Sequence, residues 1–542
     1  MLVNGVTLYC KFLLQMTISG KQLIGNTQSG NGASTFHGSV KNSDGVAYEF
    51  YEATTEEIDL AIEKANAAAP IYKKLSYVKR ADFLDKIADE IIAIGPLLIA
   101  TTQQETFLPE GRLLAERDRT TNQLRFFANI LREGSWLRPI IDLPNPAKPA
   151  KSDLRQMQIP LGVAGVFGAS NFPYAFSVAG GDTVSALAAG CPVVHKAHPA
   201  HPVTAELVGL AVIKAAQETG MPEGVFSLVH GVTYQTGLHI VGHPLVKAVA
   251  FTGSYQGGKA LFDAANKRPE PIPVYSEMGS INPVFILPGI LAEQGTKLAT
   301  ALAESNLLGT GQYCTNPGVM ILPDRETSGQ FMDGFKKSID SASGGTMLSD
   351  SIYRSYAKGT EHLAGHEGVE VFGKGTGNDD TSAVPHMFKT NAEVFFDTDA
   401  LSEEYFGPAS VHVVTKNDDE VYKIARNLRG QITATIWGNE QDLKDYAELR
   451  YILEDKVGRL LVNATPTGVE VANAMVHGGP FPATTNGATT SVGGTAIYRF
   501  TRPVCYQGMP DSSLPEALQN SNPLGLLRLV DNTYTRDTIT NN

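Results

Sequence analysis

Cysteine is scarce: four thiols (Cys10, Cys191, Cys314 and Cys505) are scattered over 542 residues with no C-x-x-C pair. That spacing argues against a zinc ribbon or a disulfide scaffold and for a reducing compartment, and no metal is expected. Positive charge is scarce too, with 44 Lys and Arg against 56 Asp and Glu and a net charge of −12. Nonspecific nucleic-acid binding, which needs clustered cations, is thereby disfavoured. No apolar run approaches membrane-spanning length. The apolar stretch 6–16 is interrupted by Lys11, follows no basic segment and precedes no small-x-small cleavage site, so it fails as a signal peptide. The expectation is that Met16 is the initiator, that residues 1–15 are an upstream extension, and that the protein is cytoplasmic with no membrane contact. A repeat of fixed period is also missing.

What is present suits a large buried core. At 42% hydrophobic and 18% charged, the chain has room for two or three domains. Thr54 and Glu57 form a capping-box pattern, and Ile58, Ala61, Ile62, Ala65 and Ala69 follow at helical spacing. Phe83, Leu84, Ile87 and Ile91 mark one face of a second helix, and polar helical patterns run on to Arg132. Pro139, Pro144, Pro146 and Pro149 then end the helix and predict a linker or extended arm. From Leu161, short apolar runs at 163–167, 192–195, 225–229 and 246–251 alternate with helical stretches at 178–189, 202–219, 234–241 and 257–267. A second series begins near Asn282, with strands at 283–287, 319–322, 410–414, 432–437 and 460–462 and helices at 291–308, 420–428 and 441–453. Such alternation predicts βαβ units and parallel sheets. Residues 343–380 are expected to be mostly loop, and short strands are expected at 496–498 and 502–506.

Chemistry concentrates where apolar runs end, which is where α/β folds gather their ligands. Cys314 stands in the turn Gly311-Gln312-Tyr313-Cys314, between a long helix and a strand. A lone cysteine is often a packed structural residue, but one in a Gly-flanked turn can face a cleft as a nucleophile. Cys191, in Ala188-Ala189-Gly190-Cys191-Pro192, fits the packed alternative better. Glu277, in Ser276-Glu277-Met278-Gly279, has apolar surroundings that would raise its pKa and suit it to activating water. Asn171, after the run 163–167, is either a turn residue or an amide donor to an oxyanion. Phe251-Thr252-Gly253-Ser254 leads through Gly258 into a helix, a weak dinucleotide signal by itself. Lys196 ends a strand, where a cation can reach ribose hydroxyls.

Five motifs stand in one order: Asn171-Phe172-Pro173, Phe251-Thr252-Gly253-Ser254, Glu277-Met278-Gly279, Gly311-Gln312-Tyr313-Cys314 and Glu403-Glu404-Tyr405-Phe406-Gly407-Pro408. In that order and spacing the chain resembles the aldehyde dehydrogenase superfamily from about Val40 to Gln507. The resemblance implies an α/β fold with a Rossmann-like cofactor domain (1–138 and 161–278), a catalytic α/β domain (279–483), oligomerisation segments (139–160 and 484–510) and a C-terminal tail (511–542). It implies Cys314 as nucleophile, Glu277 as general base and Asn171 as oxyanion donor. Lys196 and Glu404 would bind cofactor ribose, Gly253, Ser254 and Gly258 would lie along the dinucleotide, and Phe406 would pack beside the nicotinamide. The implied cofactor is NADP or NAD, the partner a small aldehyde, and the assembly a homo-oligomer, dimer or tetramer. His477-Gly478-Gly479-Pro480-Phe481-Pro482 and Arg499-Phe500-Thr501-Arg502-Pro503 resemble the branch of 2,5-dioxovalerate (α-ketoglutaric semialdehyde) dehydrogenases, which also holds an NADP-dependent fatty aldehyde dehydrogenase. Arg119, on the helical stretch 116–127, is one candidate anchor for a substrate carboxylate, its alternative reading being a solvated helix arginine. Many NAD-preferring relatives carry Glu where this chain has Pro199, so NADP is expected to serve at least as well as NAD. A catalytically silent scaffold is countered by the intact Cys314, Glu277 and Asn171, and acyl transfer to coenzyme A by the water-activating Glu277.

Overall fold

The computed structural model describes residues 18–42, 45–145, 151–379 and 381–540, and these build two seven-stranded sheets. The apolar stretch 6–16 with its expected initiator Met16, and Cys10, Pro146 and Pro149, lie outside the described residues. Among the described residues, no helix is long and apolar enough to cross a membrane.

The first sheet runs in the order Val274–Glu277, Val246–Thr252, Val163–Phe167, Val193–Lys196, Phe226–Val229, Gln22–Ile24 and Thr27–Ser29. Its first five strands are parallel, and the N-terminal hairpin adds antiparallel to Phe226–Val229. The Val163–Phe167 and Phe226–Val229 runs are buried throughout, as strands covered on both faces must be. Helices Gly181–Ala189, Pro202–Glu218, Tyr234–Gly242 and Tyr255–Asn266 connect them, within a few residues of expectation. Chain order reverses between Val163–Phe167 and Val246–Thr252, and the crevice at such a switch point is where open α/β sheets hold ligands. The Thr54–Glu57 capping box forms at the head of helix Thr55–Tyr72, although Ala68 and Tyr72 rather than Ala69 continue its buried stripe.

The second sheet begins at Val284, seven positions after Glu277 ends the first. Its order is Glu370–Lys374, His386–Asn391, Ala409–Thr415, Val319–Pro323, Val284–Ile286, Gln431–Trp437 and Val457–Val462, all parallel except the first pair. Three expectations are corrected here. Residues 343–380 hold helix Asp350–Ala364 and strand Glu370–Lys374; the helix buries only Tyr356, Thr360 and Leu363, so its polar face concealed its period. The stretch expected as a strand at 496–498 is a 3-10 helix, Gly494–Phe500, with Ala496, Ile497 and Phe500 buried. The helix expected at 441–453 is two, Glu440–Asp445 and Ala447–Glu454, divided at Tyr446.

A third, five-stranded sheet joins Thr501–Gln507, Leu154–Pro160, Ile140–Asp142, Arg528–Val530 and Thr533–Thr535. The last two strands belong to the expected tail, so the tail completes this sheet rather than trailing from it. Arg155 fixes it in place, donating to the Leu518 carbonyl at 2.6 Å while pairing with Asp153 and Asp511.

Candidate active site

The thiol of Cys314 is set by backbone conformation before any side chain acts. Gly309, Thr310 and Gly311 take successive left-handed conformations, φ +56°, +59° and +66°, which fold the chain sharply after helix Pro288–Leu307. A Cβ on Gly311 would overlap the backbone of Gly407, so the Cys314 turn lies directly against the loop that carries Glu404 and Phe406. Asn282, itself at φ +45°, donates its amide to the carbonyls of Cys314 (2.9 Å) and Asn316 (3.0 Å). Cys191, in contrast, is fully buried, and desolvation pushes its thiol up to about 11. It is packed, as expected.

The residue to which the sequence assigned no chemistry is His477. Its Nδ1–H donates to Glu277 Oε2 at 2.6 Å, and its Nε2 lies 3.5 Å from Cys314 Sγ. With Nδ1 protonated toward the carboxylate, Nε2 is left as the acceptor facing the thiol, the arrangement of nucleophile, base and orienting acid seen in triads. His477 and Glu277 are both about 1% or less exposed. Ser491 adds a second donor to Glu277 Oε2 at 2.9 Å. The segment bearing these groups is held on the free edge of the first sheet: Met278 N–H donates to Ala483 O, Thr485 N–H to Ser276 O, and Ser491 N–H to His477 O. Residues 484–492, expected in the arm, therefore pack over Glu277.

Electrostatics follow this geometry. Burial alone would raise the Glu277 carboxyl, yet His477, with Arg499 and Ser491, outweighs it and holds the group below the usual carboxylate range. The raised value expected from apolar surroundings is thus corrected, because a hydrogen-bonded partner overrides desolvation. Cys314 moves the other way. Burial, then the charges of Glu277 and Glu404, push its thiol well above the ordinary range, so the resting form is the neutral thiol. Carboxylate, thiol and imidazole ligand atoms lie within 4.8 Å of one another and are hydrogen-bonded among themselves.

On one side of Cys314 opens a cavity of about 280 Å³, lined by Arg112, Arg119, Phe172, Phe176 and Tyr313. Asn171 donates its amide to the Gln312 carbonyl at 3.1 Å and so lies beside the thiol loop. Arg119 turns inward: Nε donates to Val469 O at 3.1 Å, and the guanidinium lies over the Phe176 ring. Its Nη1 and Nη2 are buried with no hydrogen-bond partner among the described residues. Arg112 is committed to the Asn171 carbonyl (2.7 Å) and to the rings of Phe172 and Tyr313.

The other side presents the groups expected around a dinucleotide. Lys196 ends its strand half-buried, its ammonium without a hydrogen-bond or ion-pair partner among the described residues, and burial pulls it down to about 8. Gly253 and Ser254 turn from strand Val246–Thr252 into helix Tyr255–Asn266, where Ser254 caps Gly257 N–H at 3.2 Å. A Cβ on Gly258 would strike Met278, and one on Gly279 would meet Glu404 Oε2, so both glycines permit close approach beside Glu277. Glu404 and Phe406 line a groove on this face together with Tyr313.

Comparison with known proteins places the chain in a family. Two curated relatives align over almost the whole chain. The "Alpha-ketoglutaric semialdehyde dehydrogenase 2" of Azospirillum brasilense is 48% identical, covering 95% of this chain and 99% of its own. The "Alpha-ketoglutaric semialdehyde dehydrogenase" of Acinetobacter baylyi is 42% identical, covering 96% and 99%. Among solved structures, an aldehyde dehydrogenase from Bacillus cereus (G224D mutant) superposes with a TM-score of 0.77 at 22% identity, covering 92% of this chain and 98% of that one, which speaks to the fold alone. The profile of the aldehyde dehydrogenase family matches residues 32–501. The chain therefore belongs to the aldehyde dehydrogenase family and is an oxidoreductase acting on aldehydes with a nicotinamide dinucleotide.

Proposed function

We propose that this enzyme oxidises 2,5-dioxovalerate to 2-oxoglutarate, and the observation that carries the substrate is Arg119. A buried guanidinium with two unpartnered nitrogens, beside the thiol and over an aromatic ring, lacks the hydrogen bonds that buried polar groups normally have. A substrate carboxylate would satisfy both nitrogens at once in the planar, two-point pairing that favours arginine. The two relatives above bear names for the same semialdehyde, which supports the reading.

In this reading Cys314 passes its proton to His477 Nε2 and attacks the aldehyde carbon to form a thiohemiacetal. Asn171 and the Cys314 backbone N–H stabilise the oxyanion. The nicotinamide, when bound, accepts the hydride. His477, held in one tautomer by Glu277, releases the thiol proton to solvent, then takes a proton from water as that water attacks the thioester, and the acid leaves with the proton returned to the Cys314 sulfur. Lys196 and Glu404 would hold ribose, Gly253, Ser254 and Gly258 the turn at the helix start, and Phe406 the nicotinamide face; the unpartnered Lys196 ammonium and the close-approach glycines fit such a ligand. The cofactor domain would comprise 18–138 and 161–278, and the catalytic domain 279–483. The five-stranded sheet would be the oligomer arm, with Thr501–Gln507 as its edge. Cys191, Cys314 and Cys505 are all free thiols, which supports a cytoplasmic site of action.

Arg119→Ala is expected to raise KM for 2,5-dioxovalerate about 10- to 100-fold, the worth of a charge-assisted pair, while leaving KM for butanal nearly unchanged. Steady-state kinetics with both aldehydes decide it. Equal losses on the two substrates would place the anchor elsewhere, and faster turnover of long-chain aldehydes than of 2,5-dioxovalerate would favour a fatty-aldehyde substrate.

A further inference from the structure

Pro199 leaves no carboxylate three residues after Lys196, but the fold brings one from elsewhere. Glu52 follows strand Ala47–Tyr51, and the next residue, Ala53, donates its N–H to the His230 carbonyl at 3.0 Å. His230 directly follows strand Phe226–Val229, in which Val229 is the register partner of Lys196. Glu52 thus reaches the carboxyl end of the first sheet, next to the strand that Lys196 terminates. Its carboxylate accepts N–H bonds from Val232 (2.8 Å) and Thr233 (3.1 Å), and hydroxyl bonds from Thr233 (2.6 Å) and Thr236 (3.1 Å). A Cβ on Gly231 would come within 2.9 Å of Glu52 Oε1, so the loop closes tightly around the acid.

We propose that Glu52 sets the cofactor preference: from a different part of the chain it supplies the negative charge beside Lys196 that Pro199 lacks, and so disfavours a ribose 2′-phosphate. The inference rests on the assignment of Lys196 to the adenosine ribose. Three properties support it. Burial works to raise the Glu52 carboxyl, but its four donors outweigh this and keep it ionised at neutral pH. Its charge opposes the effect of burial on Lys196. No lysine or arginine forms an ion pair with Glu52 among the described residues, so its charge is not cancelled locally. Glu105 makes a similar cap, on Val203 and Thr204, but it is fully buried and its carboxyl is raised to about 7. Glu52 also fills the N-terminus of helix Tyr234–Gly242, denying that positive end to a phosphate. NAD is therefore favoured over NADP, the reverse of the expectation from Pro199 alone.

Calorimetric titration of the full-length protein with ADP and with 2′,5′-ADP tests this without turnover. The native protein should bind 2′,5′-ADP at least about tenfold more weakly than ADP, because a phosphate set beside a carboxylate is repelled. Glu52→Gln keeps an oxygen acceptor for the helix cap but removes the charge. It should tighten 2′,5′-ADP about tenfold while changing ADP less than about twofold. Equal affinities for the two ligands in the native protein would overturn the proposal, and that comparison stands even if the variant fails to fold. A Gln variant that shifts both ligands alike would overturn it as well. If ADP binds the native protein but Lys196→Ala leaves that binding intact, the ribose assignment itself fails, and Glu52 loses its role with it.

Discussion

Cys314→Ala should abolish aldehyde oxidation, lowering kcat/KM by at least about 10⁴-fold, while ADP binds as in the native protein. The loss is large because, in the proposed mechanism, the whole reaction runs through a covalent bond at Sγ. Among the described residues no other thiol is placed to replace it: Cys191 is buried elsewhere with its thiol pushed up to about 11, and Cys505 lies in the five-stranded sheet. Binding is spared because Lys196 and the Ser254 helix start lie on the first sheet, whereas the thiol is carried by a turn leading into the second. NADH formation under saturating aldehyde, paired with calorimetric binding, gives both numbers. Turnover near the native rate would remove Cys314 from the mechanism.

His477→Gln should lower kcat about 10²- to 10⁴-fold, the usual range for loss of a positioned base. Its pH profile is the more telling result. In the proposed mechanism, Nε2 at 3.5 Å receives the thiol proton, so activity does not wait for the thiol to ionise unaided. Without the imidazole, thiolate must form against burial and the charges of Glu277 and Glu404, all of which hold the pKa high. The rate of Cys314 alkylation by iodoacetamide should therefore fall at neutral pH. It should then climb about tenfold per pH unit through the alkaline range, since thiolate fraction rises that way below the pKa. Glu277→Gln should show a smaller form of the same defect, together with slow release of the acid after the first turnover. If His477→Gln left both kcat and the alkylation profile unchanged while Glu277→Gln abolished thioester release, Glu277 would be the direct base on water.

Much of this site was legible because its residues end strands or stand in Gly-punctuated turns, features that local pattern reports well. Cys314, Glu277, Asn171, Lys196 and Ser254 could all be singled out that way. His477 could not, since its partner Glu277 is 200 positions away and its own neighbours are a run of Gly, Pro and small polar residues without period. Only the docking of residues 483–491 on the edge of the first sheet brings the pair together, and edge docking leaves no periodic trace. The error over Glu277 has the same origin: apolar neighbours in sequence suggested a raised pKa, while a distant imidazole decided its sign. Glu52 was invisible for a parallel reason, being a carboxylate before a capping box whose own side chain caps a different helix. In the second sheet, helix Asp350–Ala364 was lost in polar composition because it buries so few positions.

The hydrogen bonds that join Cys314, His477 and Glu277 also impose an order on biosynthesis. The nucleophile leaves the ribosome 163 residues ahead of its base, and the carboxylate that orients the base comes earlier still. A nascent chain that has made the thiol turn has no imidazole within reach of it. Until residues 477–491 are translated and docked, Cys314 has no imidazole beside its thiol. The constellation of thiol, imidazole and carboxylate is thus complete only once about nine-tenths of the chain has been synthesised.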